Sequence, residues 1–183
     1  FAVKGAVEYH CLWLRGLLPA KATMVDETFT PSAIASPQLH GNSRFWPVAE
    51  WPAQTYYTDA SGGPHGKFPS LRRCGFGVAV PVIEEGIPFL LWGISCALPG
   101  EVQSVPRGEL YAIMYCFRNV IVGIVTIVTD SLTNFNLFNG DRDVALCSTN
   151  GDLFKAIFEH SDAHHVVLRL VWTPSHLDSN KKV

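Results

Sequence analysis

The sequence is short of charge, of cysteine pairs and of uninterrupted apolar stretches. Charged residues make up 16% of its 183 residues against 48% hydrophobic, which excludes a disordered polyelectrolyte and implies a packed core. It also lacks the surplus of Lys and Arg common in nucleic-acid binders. Fourteen basic residues stand against sixteen acidic, for a net charge of -2, with a pI near 6.4. Any phosphate neutralisation therefore rests on local groups such as Lys67, Arg72 and Arg73, or on neighbouring domains. Five widely spaced cysteines (Cys11, Cys74, Cys96, Cys116 and Cys147) contain no Cys-x-x-Cys pair. That pattern fits neither a disulfide framework nor a structural zinc site and reads as a reducing, intracellular compartment, cytoplasm or nucleus. The longest apolar runs, Ile87 to Leu98 and Val120 to Val128, fall short of the ~20 residues a spanning helix needs, so no membrane segment is expected. There is no initiator Met and no signal pattern in Phe1-Ala2-Val3-Lys4, so the chain reads as a piece of something longer.

What is present is organised in three parts. The length suits one domain plus an appendage. Residues 31–52 carry four prolines among Ser, Gln, Asn and Gly, and read as a linker. Residues 1–30 form a separate N-terminal segment, and a domain begins at 53. Within it, Gln54 to Asp59, Cys74 to Ile83 and Pro88 to Ala97 alternate as strands of an antiparallel meander. Pro106 then stands at a first helical position, followed by Leu110, Ile113, Met114 and Phe117 at the spacing of one buried helical face. The β-branched run Ile121 to Thr129 reads as a strand covered on both sides and ends at Asp130. A short helix is expected from Ser131 to Phe138, then a loop over 139–150. Leu153, Phe154, Ile157 and Phe158 mark a further helix, and His165 to Trp172 a fifth strand. The order β-β-β-α-β-α-α-β predicts an α/β fold: a mixed five-stranded sheet of three antiparallel strands followed by alternating helices and strands.

Function gathers at the carboxyl ends of strands in such sheets. Asp59 ends the first strand beside the loop Ala60-Ser61-Gly62-Gly63, Glu109 lies in the first turn of the first helix, and Asp130 ends the next strand. Each alone is a turn, helix-start or capping carboxylate. Together they would repel one another unless a cation neutralised them. Oxygen donors of this kind suit Mg²⁺ or Mn²⁺, and two such ions support hydrolysis at phosphorus. His160, His164 and His165 read as structural or surface residues, because neighbouring histidines at a strand start point to opposite faces.

Four motifs in order, Tyr57-Thr58-Asp59-Ala60-Ser61-Gly62, Cys74-Gly75-Phe76-Gly77-Val78-Ala79-Val80, Gln103 to Ala112 and Val128-Thr129-Asp130-Ser131, resemble type 1 ribonuclease H. They are most similar to the ribonuclease H domains of retroelement reverse transcriptases, and the resemblance runs from Gln54 to the end. It implies a ribonuclease H-like fold in which Asp59, Glu109 and Asp130 bind two Mg²⁺ ions (Mn²⁺ also serving), with cleavage of the RNA strand of an RNA/DNA hybrid. It further implies substrate contacts at Ser61, Gly62, Arg107 and Ser131, and a role for Glu109 in sensing the ribose 2′-hydroxyl, the group that marks RNA. Trp172-Thr173-Pro174-Ser175-His176 resembles the segment after the family's last strand, which assigns His176 to proton movement or product release. The family's fourth aspartate lies on a later helix. The sequence ends at Val183, and Asp178 is too close to His176 to match it, so the domain is expected to be C-terminally truncated. Residues 1–30 are then expected to be the tail of a reverse transcriptase in the same polypeptide. Two other readings stay open: an inert nucleic-acid-binding remnant of the same fold, and an integrase or transposase domain, whose third acid normally lies far later in the chain.

Overall fold

Alternation along the chain becomes alternation of burial across a sheet. The computed structural model describes residues 36–47, 50–63, 67 and 72–175, so the segment 1–30, His176 and Asp178 lie outside the described residues. In β2 (Thr55–Ser61) Tyr56 and Thr58 are buried while Tyr57 and Asp59 are exposed. In β3 (Gly75–Glu84) Phe76, Val78 and Val80 point inward, and in β4 (Ile87–Ala97) Trp92, Ile94 and Cys96 do. These three strands form the expected antiparallel meander. Its regular register breaks between Val80 and Pro81, where proline has no N–H to give the ladder, and beyond that point Ile83 is exposed.

The helix α1 (Val105–Arg118) follows, with Leu110, Ile113, Met114 and Phe117 buried as their spacing predicts. It crosses over to β5 (Ile124–Thr129), which lies parallel to β2. Then come α2 (Leu132–Asn139), α3 (Arg142–Leu146), α4 (Gly151–His164) and β6 (Val167–Trp172), the last parallel to β5. Helix α4 contributes Leu153, Phe154 and Ile157 to the same core as α1.

Among the described residues the sheet has six strands where five were expected, and with β1 at Gln38–Gly41 their order is β1-β4-β3-β2-β5-β6. The additional strand β1 pairs with β4 and lies inside the segment read as linker. Its prolines misled because Pro37 and Pro47 flank the four-residue strand and do not interrupt it. Gly41 is required there: its φ is +83° and an added Cβ would stand 2.6 Å from the Leu91 carbonyl oxygen. Trp51, also in that segment, is buried in the core and its N–H donates to the Asn119 carbonyl at 2.8 Å.

Three further differences concern the second half. Strand β5 is not covered on both sides among the described residues: Val125, Ile127 and Thr129 are buried, but Ile124 is exposed. α3 stands inside the expected loop, started by Asp141, whose carboxylate accepts from the Asp143 N–H at 2.8 Å. Helix α4 continues through His164 and the strand starts at Val167, two residues later than expected.

Candidate active site

Strands β2 and β5 run side by side and parallel, with Tyr56 opposite Ile127 and Tyr57 opposite Val128. Continuing that register by two residues places Asp59 beside Asp130, at the carboxyl ends of both strands. The turn after β5 is held firmly: the Ser131 N–H donates to the Thr129 hydroxyl at 3.2 Å and the Trp172 indole N–H donates to the Asp130 carbonyl at 3.1 Å. Parallel pairing thus delivers two of the sequence-predicted acids to one place without any tertiary adjustment.

The third acid arrives on α1, and the approach of that helix depends on Gly108. A Cβ there would meet the Ala60 Cβ at 2.8 Å, so glycine lets the first turn lie against β2 next to Asp59. Two further ties fix the same turn. The buried amide of Asn134, on α2, donates to the Pro106 carbonyl at 3.0 Å. Arg107 forms a two-pronged ion pair with Asp152 at the start of α4, at 2.9 and 2.6 Å, and also reaches Asn150 at 3.3 Å. The guanidinium proposed from the motif as a substrate contact is therefore engaged within the fold, and it holds the Asp152 carboxyl below the usual carboxylate range.

The Glu109 carboxyl responds to its surroundings. Burial pushes the Glu109 carboxyl above its ordinary value, and the charges of Asp130 and Asp59 push it the same way, against a hydrogen bond from the Ser131 hydroxyl that pulls it down. The Asp130 Oδ1 atom is buried with no hydrogen-bond partner, an arrangement that disfavours a lone carboxylate and suits one facing a cation. Asp59 is turned locally: its Oδ1 accepts from the Ala60 N–H at 2.7 Å. In this arrangement no group of three or more His, Cys, Asp or Glu among the described residues is close enough to hold a metal ion. The acids occupy one corner without being drawn together, as three like charges would be expected to do.

Asp59 also lines a groove of about 640 Å³ that runs over the sheet along Ala60, Ser61, Gly75, Gly77 and Ser95. Ser61 is on its wall and accepts from the Gly63 N–H at 3.2 Å, and Gly62 lies between those two residues. Arg73 borders the groove, Lys67 is exposed, and Arg72 is half-buried. Ser131 is buried against Glu109. His176 falls outside the described residues. Sequence reasoning missed Gly108, Asn134 and Asp152 as parts of this corner. Gly108 and Asn134 left a signal, a glycine inside a helical first turn and an Asn on a short apolar helix, whereas Asp152 left none.

No family model matches the chain, and no curated protein matches it. Solved structures do. The solution structure of the prototype foamy virus ribonuclease H domain aligns over 70% of this chain and 83% of its own, with a TM-score of 0.51 and 16% identity. The crystal structure of a prototype foamy virus protease-reverse transcriptase mutant aligns over 79% of this chain and 20% of its own, with a TM-score of 0.52 and 16% identity. The foamy viral protease-reverse transcriptase in complex with RNA/DNA hybrid aligns over 74% of this chain, with a TM-score of 0.50 and 18% identity. This chain spans 19% of that protein's length. At such identities the likeness is one of fold: the chain has a ribonuclease H fold.

Proposed function

We propose that this ribonuclease H fold is a divalent-metal-dependent endoribonuclease that cleaves the RNA strand of RNA/DNA hybrids, as part of a retroelement polyprotein. The observation that carries the proposal is the unpaired, buried Asp130 Oδ1 in the corner where Asp59 and Asp130 end neighbouring parallel strands and where burial, with the charges of both, pushes the Glu109 carboxyl up. The donor set fits the group it would hold, since carboxylate oxygens are the ligands Mg²⁺ and Mn²⁺ select and an orphaned carboxylate oxygen gains a partner. When bound, such ions activate a water and stabilise the leaving oxygen of a phosphodiester. Asp59, Glu109 and Asp130 would hold them, Ser131 keeps Glu109 oriented, and the groove beside Asp59 has the small residues Gly75 and Gly77 on its floor, which leave room for a sugar-phosphate backbone. One of the matching solved structures is itself a complex with RNA/DNA hybrid, which supports the choice of substrate.

A second reading, a hybrid-binding module without turnover, draws on the Asp59 carboxylate folded onto the Ala60 N–H. Incubation of the full chain with end-labelled RNA/DNA hybrid and Mg²⁺, beside Asp59→Asn, separates the two. The proposal expects cleavage of the RNA strand by the parent alone, with duplex DNA untouched. Binding of intact hybrid by both proteins without cleavage establishes the second reading.

A further inference from the structure

Outside the acid corner, α4 brings two imidazoles together at its far end. His160 and His164 are four residues apart on one helix, and their ring centroids are 4.6 Å apart with the planes inclined at 42°. His160 Nε2 is 2.8 Å from the Val120 carbonyl oxygen. A carbonyl can only accept, so Nε2 carries the proton and the Nδ1 lone pair is left for a ligand. This is the arrangement usual for a metal-binding histidine, whose second ring nitrogen donates to a fixed acceptor and thereby sets the tautomer. Phe117 meets the His160 ring edge-on at 5.1 Å and further restricts its rotation. His164 is exposed.

We propose that His160 and His164 form a two-imidazole site for a divalent transition-metal ion that accepts neighbouring nitrogens at about a right angle, with Cu²⁺ the best-fitting example. The ring separation argues for that angle. With a metal–nitrogen bond of about 2.1 Å, the metal lies about 3.2 Å from each ring centre, so two rings at a right angle are about 4.5 Å apart and two at the tetrahedral angle about 5.2 Å. The observed 4.6 Å matches the first. Two histidines one turn apart on one helix face are also the nitrogen pair of a known class of metal site. Nearby carboxylates are engaged elsewhere: Glu159 pairs with Lys155 and Asp162 with Arg142. Water would complete the coordination.

The site is separate from the carboxylates in place and chemistry. Val120 precedes β5 and Asp130 follows it, so the two sites are separated by the length of that strand, about 20 Å at ~3.3 Å per residue. Imidazoles select borderline metals, whereas the acids select hard ones. A bound ion would clamp the last turn of α4, which ends at His165 in a left-handed conformation with φ of 53°. Through Val120 it would also tie that turn to the chain entering β5.

The test uses the full chain and Cu²⁺ alone, with His164→Ala as the variant because that side chain is exposed and supports no other contact of the fold given above. Cu²⁺ is expected to raise the thermal midpoint of the parent, to show coupling to two nitrogen donors in its electron paramagnetic spectrum, and to bind His164→Ala at least ~10-fold more weakly. His165→Ala, the control, is expected to bind as the parent does. Equal affinity in the parent and His164→Ala, or a spectrum with fewer than two nitrogen donors in the parent, would overturn the proposal.

Discussion

Helix α1 touches two regions of opposite character. At its last turns Tyr115 joins Trp51, Tyr56 and Trp92 in an aromatic cluster, with ring centroids 4.9 to 6.0 Å apart. Two polar groups there are paired: the Tyr56 hydroxyl donates to the Pro52 carbonyl at 2.6 Å and the Trp51 backbone N–H to the Asn119 carbonyl. Just past its first turn, one residue later than expected, Glu109 lies in the field of two other carboxylates, and a buried oxygen of Asp130 goes without a partner. One end of the helix is arranged for stability. The other sets like charges in one corner and leaves a buried oxygen unpaired, an arrangement that costs stability.

The comparison breaks if the two ends respond alike to substitution. The largest expected effect is at the aromatic end. Trp92→Ala removes a ring that is 2% exposed and should lower unfolding free energy by about 3–5 kcal/mol in a denaturant titration. Asp130→Asn should act in the opposite sense, cutting hybrid cleavage by at least ~10²-fold while leaving the thermal midpoint unchanged or higher, because a buried charge is removed. A stability loss on the scale of Trp92→Ala would place Asp130 in the framework instead.

Gly108→Ala sharpens the contrast, since it joins both ends through the seating of α1. The new Cβ would stand 2.8 Å from the Ala60 Cβ, so the first turn must move off β2, at a cost of about 1–3 kcal/mol offset in part by the helix preference of alanine. Cleavage should fall more than stability does. Adding Ala60→Gly should restore both, a coupling that a double-mutant cycle measures.

Much of this was legible in the sequence. Period-two and helical apolar patterns located β2 to β4 and α1, a β-branched run located β5 but not its one-sided burial, and the burial of Phe76, Val78, Val80, Leu110 and Phe117 followed directly. The acids were legible as ordered motifs, and parallel pairing of β2 with β5 explains why their positions in the chain translate into neighbours in space. β1 was not, because four residues flanked by prolines carry too short an alternation to register. The Arg107–Asp152 pair was not either: charges 45 positions apart have no local signature, and only the packing of α4 on α1 brings them together. The packing of α1 on β2, not that on α4, puts Gly108 under steric demand.

A smaller effect concerns Glu109 and pH. Its folded-state carboxyl is raised, so the native chain keeps a proton that the unfolded chain has lost. Stability from this group is present below the ordinary glutamate value of 4.5 and lost as pH rises through the raised one. Glu109→Gln should therefore be more stable than the parent at neutral pH, with the difference vanishing in acid. Chemical unfolding at both pH values reads it.

The claim beneath all of this is that the acid corner is built to share a divalent cation. Titration of the Glu109 side-chain carboxyl by carbon-13 NMR, with and without Mg²⁺, addresses it. A carboxyl that ionises above its ordinary range alone, and at distinctly lower pH once Mg²⁺ is added, is the predicted result. Titration curves that coincide with and without Mg²⁺ would contradict it.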